Sequence, residues 1–244
     1  MLRPLMPTDC LFREDAYLKE CSATVVGFKP DGGIILDRTV FYAASGGQPG
    51  DHGVLTTRWG DAILIRNALY IDPSKSKIAH MPVEGTAASL AVGEPVHAVI
   101  DWDRRYARMR MHTALHLLSA ALPYPVTGGS VGETESRLDF DILEAGLDKD
   151  AISQKLAKMI AANAEVHTRW ITSVELEANP GLIKTMSVKP PMGSGRVRLV
   201  EIVGYDLQPC GGTHVRRTAE IGKVAVTQVE KKGTLNRRVR LAFV

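Results

Sequence analysis

The chain has 244 residues, enough for one large domain or two ordinary ones. With 45% hydrophobic and 23% charged residues it has the profile of a globular protein that can bury a core. No stretch approaches the roughly 18 consecutive apolar residues of a membrane span. A formal net charge of +3 does not by itself announce a nucleic-acid binder, and three scattered cysteines (Cys10, Cys21 and Cys210) are too few for a disulfide framework.

The first fifteen residues hold acids and a proline where a signal peptide needs an apolar run, so a cytoplasmic location is the expectation. The first hundred residues read as β structure. Short apolar runs at Ala23–Phe28, Gly33–Leu36, Val54–Leu55, Ala62–Leu69 and Pro95–Ile100 are separated by Gly, Pro, Asp and Ser clusters, the punctuation of a small barrel or sandwich. At Asp101 the pattern changes. Residues Asp103 to Leu122 contain no Gly or Pro and are rich in helix formers, with Asp101 and Asp103 both available as the N-cap. A strand is expected at Ser136–Ile142 and a second helix at Asp148–Val166, where Ile152, Leu156, Met159 and Ile160 recur at helical spacing. After a Gly/Pro-rich passage from Asn179 to Gly195, strands are expected at Arg196–Val203 and Lys223–Lys231. Arg237–Val244 then closes a hairpin around Gly233. The fold class read from this order is α+β, with a β-barrel domain over residues 1–100 and an α+β domain over 101–244.

Two pairs of residues carry metal-binding chemistry. His112 and His116 stand at i and i+4, on one face of the expected helix. Alone, that spacing is more often an incidental pair than a metal site. In QPCGGTHV, Cys210 and His214 flank two glycines that let the backbone bend both side chains the same way. Together they offer three imidazoles and one thiolate, borderline-soft donors that suit one zinc ion per chain better than magnesium or calcium. Structural and catalytic zinc both remain open, although four protein ligands resemble a closed, structural site.

The phrases LDRTVFYAASGGQPGDHG, HTALHLL, SRLDFDI and QPCGGTHV, in this order, resemble the AlaX proteins, freestanding relatives of the editing domain of alanyl-tRNA synthetase. The resemblance runs from about Cys10 to the C-terminus. It implies an N-terminal β-barrel followed by a zinc-binding α+β editing domain. It also implies hydrolysis of the ester joining a wrong amino acid, chiefly serine and sometimes glycine, to tRNA(Ala). It assigns the zinc to His112, His116, Cys210 and His214, and implies a hydrolase rather than an aminoacylating synthetase. No P-loop is present, and no ATP site is expected. One departure is visible: the family commonly has a Pro and a third Gly before GGQ, where this chain has Ala43-Ala44-Ser45.

The resemblance also draws attention to residues whose plain reading is structural. Gly46, Gly47 and Gln48 read as a β-turn with a surface glutamine; the family makes them pocket lining. Thr39 reads as a good strand former; the family's matching threonine meets the seryl hydroxyl, a contact that would spare correctly made Ala-tRNA. Thr39 and Gln48 are thus candidates to hold the attacking water. Arg238 and Arg240 share one face of the last strand, opposite Val239, Leu241 and Phe243, and are either solvated or in contact with RNA phosphate. The same two readings apply to Arg104, Arg105, Arg108 and Arg110. Asp139 is a candidate carboxylate for orienting a ligand histidine. His52, His80, His97, His167, Cys10 and Cys21 are read as structural or surface residues.

Overall fold

The computed structural model describes residues 6–85, 90–142, 146–183, 195–233 and 236–244. The chain forms two compact units. The first comprises Met1–Ser45 and Pro49–Arg105, and the second Gly46–Gln48 and Tyr106–Val244. Compared with the expected boundary at residue 100, the division falls a few residues later, and three residues of the first hundred go with the second unit.

The first unit opens with β1 (Asp9–Cys10) and the single-turn α1 (Leu11–Glu14). There follow β2 (Glu20–Phe28), β3 (Ile34–Leu36), β4 (Arg38–Thr39), β5 (Gly53–Thr57), β6 (Ala62–Tyr70), β7 (Ile78–Pro82) and β8 (Pro95–Ile100). Six of these close into a barrel in the order β2-β3-β7-β6-β5-β8, every neighbouring pair antiparallel; β1 and β4 form a separate parallel pair. The barrel follows from period-2 patterning: in β8, Val96, Ala98 and Ile100 are buried while His97 is exposed. In β6, Ile63 and Ile65 alternate with exposed Ala62, Leu64 and Arg66. The strand β7 escapes a pattern search because His80 interrupts its apolar run. The imidazole is nevertheless wholly buried, with Nδ1 3.0 Å from the Ile34 carbonyl and Nε2 2.8 Å from the Thr39 hydroxyl.

One buried ion pair underlies the barrel unit. Arg105 is 0% exposed and Asp51 1% exposed. The guanidinium donates to Asp51 Oδ2 and to the carbonyls of Ala16 (2.9 Å) and Val40 (2.6 Å), and Asp51 also accepts from the Tyr42 amide at 2.7 Å. One salt bridge thereby ties four separate stretches of chain. Removing one partner strands the other charge in a site closed to water. Arg105→Met is expected to lower the stability of the barrel unit by about 3–5 kcal/mol, read as a shift in the urea midpoint. A loss below about 1 kcal/mol would mean that water reaches Asp51.

The second unit takes the longest buried run of its core from α2 (Trp102–Ala121). Of the two candidate caps it is Asp101 that serves: its carboxylate accepts from the Arg104 amide at 3.2 Å and its carbonyl from the Arg105 amide at 3.1 Å. From Met111 to Ser119 every residue is buried, so the second half of this helix has no solvent stripe. Next come β9 (Val126–Ser130), β10 (Glu135–Asp141), α3 (Lys149–Ala161), β11 (Val166–Thr172), α4 (Ser173–Glu177), β12 (Arg196–Ile202), β13 (Asp206–Pro209), β14 (Val224–Lys231) and β15 (Asn236–Phe243). They build a four-stranded sheet, β14-β15-β10-β9, and a three-stranded sheet, β11-β12-β13.

Asp148 caps α3, accepting from the amides of Asp150 and Ala151. The helix ends five residues before the expected Val166 because Asn163 turns left-handed (φ 51°), a common stop after a helix. Val166 instead opens β11. That strand is mostly exposed and carries no apolar alternation; its identity comes from pairing with β12, Val166 opposite Ile202 through Thr172 opposite Arg196. In β15, Val239 and Leu241 point into the core as expected, and β14 and β15 pair antiparallel. Residues 234 and 235 of their connection, and residues 184–194 of the Gly/Pro-rich passage, lie outside the described residues. Among the described residues no helix is long and apolar enough to cross a membrane.

Candidate metal centre

Within the second unit, α2 carries His112 and His116 one turn apart, and the loop after β13 carries Cys210 and His214. One donor atom from each of the four lies within 4.8 Å of all the others. The thiol sulfur is 3.6 Å from His112 Nε2 and 3.3 Å from His214 Nε2. The three imidazole centroids are 4.3 to 5.3 Å apart. The histidines are buried, and Cys210 is the partly exposed member.

The outer partners fix each ring's tautomer. His112 Nδ1 is 2.8 Å from Gln48 Oε1, His116 Nδ1 is 2.8 Å from Asp206 Oδ2, and His214 Nδ1 is 3.1 Å from Thr113 Oγ1. Each partner must accept. Asp206 offers a carboxylate. Thr113 spends its own proton on the Met109 carbonyl at 2.9 Å. Gln48 has its amide oriented by the Thr213 backbone N–H (3.1 Å to Oε1) and by its own donation to the Thr213 hydroxyl (2.8 Å). All three rings therefore direct Nδ1 at an outer acceptor and turn Nε2 toward Cys210. Outer acceptors of this kind are what orient metal-binding histidines.

The loop that holds Cys210 is braced by a residue that no motif or spacing singles out. Arg198 of β12 is 6% exposed, and its Nη1 donates to the carbonyls of Cys210 (3.0 Å) and Gly212 (2.9 Å). Its own carbonyl accepts from the Cys210 amide at 3.0 Å. Gly212 is required here: a Cβ would collide with the His112 ring and stand 2.9 Å from Gln48 Oε1. Gly47 is constrained as well, with φ 82° and a Cβ position 2.6 Å from the Gly129 carbonyl oxygen.

Burial and mutual charge set the protonation of the cluster. Burial raises the Cys210 thiol, but His112 and His214 outweigh it and bring the thiol well below its ordinary value. Burial and the charge of His112 hold His214 down at about 3. Burial also opposes charge on His116, yet its hydrogen bonds to Asp206 and Cys210 lift it to about 9. Cys210 is thus favoured as the thiolate and His116 as the imidazolium. Three nitrogens and one sulfur at these separations fit a tetrahedral divalent ion of the borderline-soft class.

Other sequence candidates lie elsewhere. Thr39 is fully buried in the barrel unit: its hydroxyl accepts from the Phe41 amide at 3.0 Å and meets His80 at 2.8 Å. Since His80 Nδ1 must donate to the Ile34 carbonyl, its Nε2 accepts the Thr39 proton. Gly46 and Gly47 are exposed and turn left-handed, while Gln48 is 2% exposed with its amide committed to His112 and Thr213. Arg238 grips Asp139 bidentately at 2.7 and 2.9 Å, and Arg240 meets Glu230 (2.5 Å) and Glu135 (2.6 Å). Asp139 therefore faces arginines, and the carboxylate that orients a ligand histidine is Asp206. Two of the arginines in the first half of α2 are buried, Arg105 against Asp51 and Arg108 against Glu133, while Arg110 caps the Ile221 carbonyl and lies over the Phe243 ring.

The protonation state makes a measurable prediction. A group raised to about 9 keeps its proton at neutral pH, and a metal must displace it to reach Nε2. Metal uptake at pH 7 should therefore release about one proton, and affinity should rise about tenfold per pH unit until pH 9. Calorimetry in buffers of different ionisation enthalpy reads the proton directly. Asp206→Asn should release less and bind about 10- to 100-fold more weakly. Proton release equal to that of wild type would show that Asp206 does not control His116.

Residues 197–240 match the family described as the threonyl and alanyl tRNA synthetase second additional domain. Residues 15–104, which include the barrel strands, match the family of class II (A) tRNA synthetases. The alanyl-tRNA editing protein AlaX-M of Methanosarcina barkeri is 37% identical over 97% of this chain and 99% of its own length. The protein of the same name from Saccharolobus solfataricus is 33% identical over 95% and 97%. The alanine–tRNA ligase of Korarchaeum cryptofilum is 36% identical over 94% of this chain, a match that spans only 26% of the ligase. Similarity of this extent, along nearly the full length of both partners, places the chain in the AlaX-M family of alanyl-tRNA editing proteins.

Proposed function

We propose that the chain is a trans-acting hydrolase that removes serine, and in second place glycine, from mischarged tRNA(Ala), with one zinc ion held by His112, His116, Cys210 and His214. The observation that carries this reading is the convergence of three inward Nε2 lone pairs and one thiolate in a chain whose full-length relatives are named alanyl-tRNA editing proteins. In the cytoplasm, where this proposal places it, the protein would act on finished aminoacyl-tRNA and need no ATP.

Hydrolysis of an aminoacyl ester is an undemanding reaction. Water adds to the carbonyl carbon, the bond to the ribose oxygen breaks, the water's proton ends on that oxygen, and free amino acid leaves. Zinc supplies Lewis-acid character toward the amino acid or a water. The chain's own residues do the positioning. Gln48, Asp206 and Thr113 hold the three rings, Arg198 holds the loop, and partly exposed Cys210 marks the side open to substrate. Cys210 is committed to the cluster and is not the nucleophile. Gly46 and Gly47, exposed and free of side chains, can approach the aminoacyl end closely. The closed set of four ligands favours a second reading, structural zinc in a non-catalytic RNA-binding module.

Deacylation assays separate the two. Zinc-loaded protein is expected to release serine from Ser-tRNA fastest, glycine more slowly, and alanine at the uncatalysed rate. No release of serine would leave only the binding module. Thr39 tests the origin of selectivity. With its proton given to His80, its hydroxyl can still accept from a seryl hydroxyl. Thr39→Val should then cost serine hydrolysis about 1–3 kcal/mol and glycine hydrolysis much less, measured as a ratio at equal zinc occupancy. Equal losses on both substrates would assign Thr39 to support of the barrel through His80.

A further inference from the structure

The loop Asp72–Lys77 is built with unusual care for a surface connection. The Asp72 carboxylate accepts from the Ser76 and Lys77 amides and from the hydroxyls of Ser74 and Ser76, and it is held at about 2; burial opposes this shift and those hydrogen bonds produce it. The Thr8 amide donates to the Ser76 carbonyl at 2.8 Å, and Arg13 reaches the Lys75 carbonyl at 3.4 Å. At the centre of this frame Lys75 takes φ 53°, a left-handed conformation that side chains other than Gly and Asn adopt reluctantly.

The frame aims the Lys75 ammonium at one group. Nζ donates to the Ser45 hydroxyl at 2.8 Å, and Ser45 is the residue immediately before Gly46-Gly47-Gln48 in sequence. The Ser45 carbonyl is fixed in turn by the Tyr42 hydroxyl at 2.8 Å. An ammonium has three donors, and this one gives a single hydrogen bond to a neutral oxygen. Among the described residues no carboxylate meets it, whereas Lys29, Lys232, Arg217, Arg238 and Arg240 are each paired with an acid. The Asp72 carboxylate of the same loop is turned onto its own backbone. Arg13, the other cation at this place, likewise has neutral partners, the Tyr70 hydroxyl and the Lys75 carbonyl. A held, uncompensated cation beside a hydroxyl whose own proton remains to be donated is the donor set for an anion.

We propose that the Lys75 ammonium and the Ser45 hydroxyl form an anion-binding pair that holds a phosphodiester of the RNA's acceptor strand, an assignment that rests on the reading of the chain as an aminoacyl-tRNA hydrolase. The pair grips the backbone and reads no base, so it contributes affinity and placement and leaves the choice of amino acid to other groups.

The test compares Lys75→Gln, Lys75→Arg and wild type in two measurements. In the first, binding of uncharged tRNA is followed by fluorescence anisotropy over a salt series. Lys75→Gln should bind about three- to tenfold more weakly, and the slope of log affinity against log salt should flatten by about 0.7, the value for one single-stranded phosphate contact. Lys75→Arg should keep most of the slope. In the second, hydrolysis of Ser-tRNA is compared with that of a seryl ester of adenosine lacking phosphate. The Lys75→Gln loss on Ser-tRNA should exceed its loss on the small ester by at least threefold, through KM more than kcat. An unchanged salt slope, or equal losses on both esters, would show that Lys75 only braces Ser45 and would overturn the pair. If wild type binds tRNA but cleaves neither ester, the hydrolase reading falls, and the salt slope alone decides for or against Lys75. Failure of wild type to bind tRNA overturns the proposal outright.

Discussion

The position of three imidazole protons governs the second unit. A histidine ring can present either nitrogen, and the choice belongs to whatever accepts from the other. Here a glutamine oxygen, a carboxylate and a hydroxyl oxygen each take an Nδ1 proton, and each acceptor is itself fixed by a further hydrogen bond or by the fold. Three rings from two distant segments consequently present the same atom to one point. With any one acceptor replaced by a donor, its ring would turn its lone pair outward, and four side chains at suitable distances would no longer form one site.

The site thus depends on partners that are distant in sequence as well as on its four candidate ligands. The two ligand pairs are legible because helix periodicity and a Gly-Gly bend are local facts: an i, i+4 spacing, about one turn, for His112 and His116, a tight loop for Cys210 and His214. The α+β class and the barrel are legible for the same reason, through alternation in β6 and β8 and the long uninterrupted helix. The acceptors are not. Asp206 lies 90 residues from His116 and Gln48 64 from His112, and nothing in either neighbourhood announces the partner. Asp139, the carboxylate that the sequence reading proposes for this role, faces Arg137 and Arg238. β11 was hidden because its exposed face carries no pattern, β7 because a buried histidine broke one.

Charge follows a similar rule. Composition offers arginines clustered along α2 and β15, which invite a reading as an RNA-facing surface. In the fold they are mostly spent on carboxylates, carbonyls or rings, some in the interior, where a charge without a partner is far too costly to keep. Density of basic residues is therefore a poor guide to where an anion binds. A better guide is a cation that the scaffold holds rigidly and leaves without an acid, as it does Lys75 in a loop that a sequence search for clusters passes over.

The separation of the ligands along the chain has one more consequence. His112 and Cys210 are 98 residues apart, so an ion shared between them closes a loop that takes in most of the second unit. A covalent cross-link over such a span restricts the unfolded chain enough to favour folding by about 4–5 kcal/mol, and a tightly held ion acts in the same sense. Unlike a covalent link, its contribution grows with the logarithm of free metal concentration. Under the zinc-binding reading proposed above, the lifetime of the protein in a cell would be coupled to metal supply: with metal scarce, the folded fraction would shrink, proteolysis would remove what unfolds, and the amount of protein would adjust without any dedicated sensor.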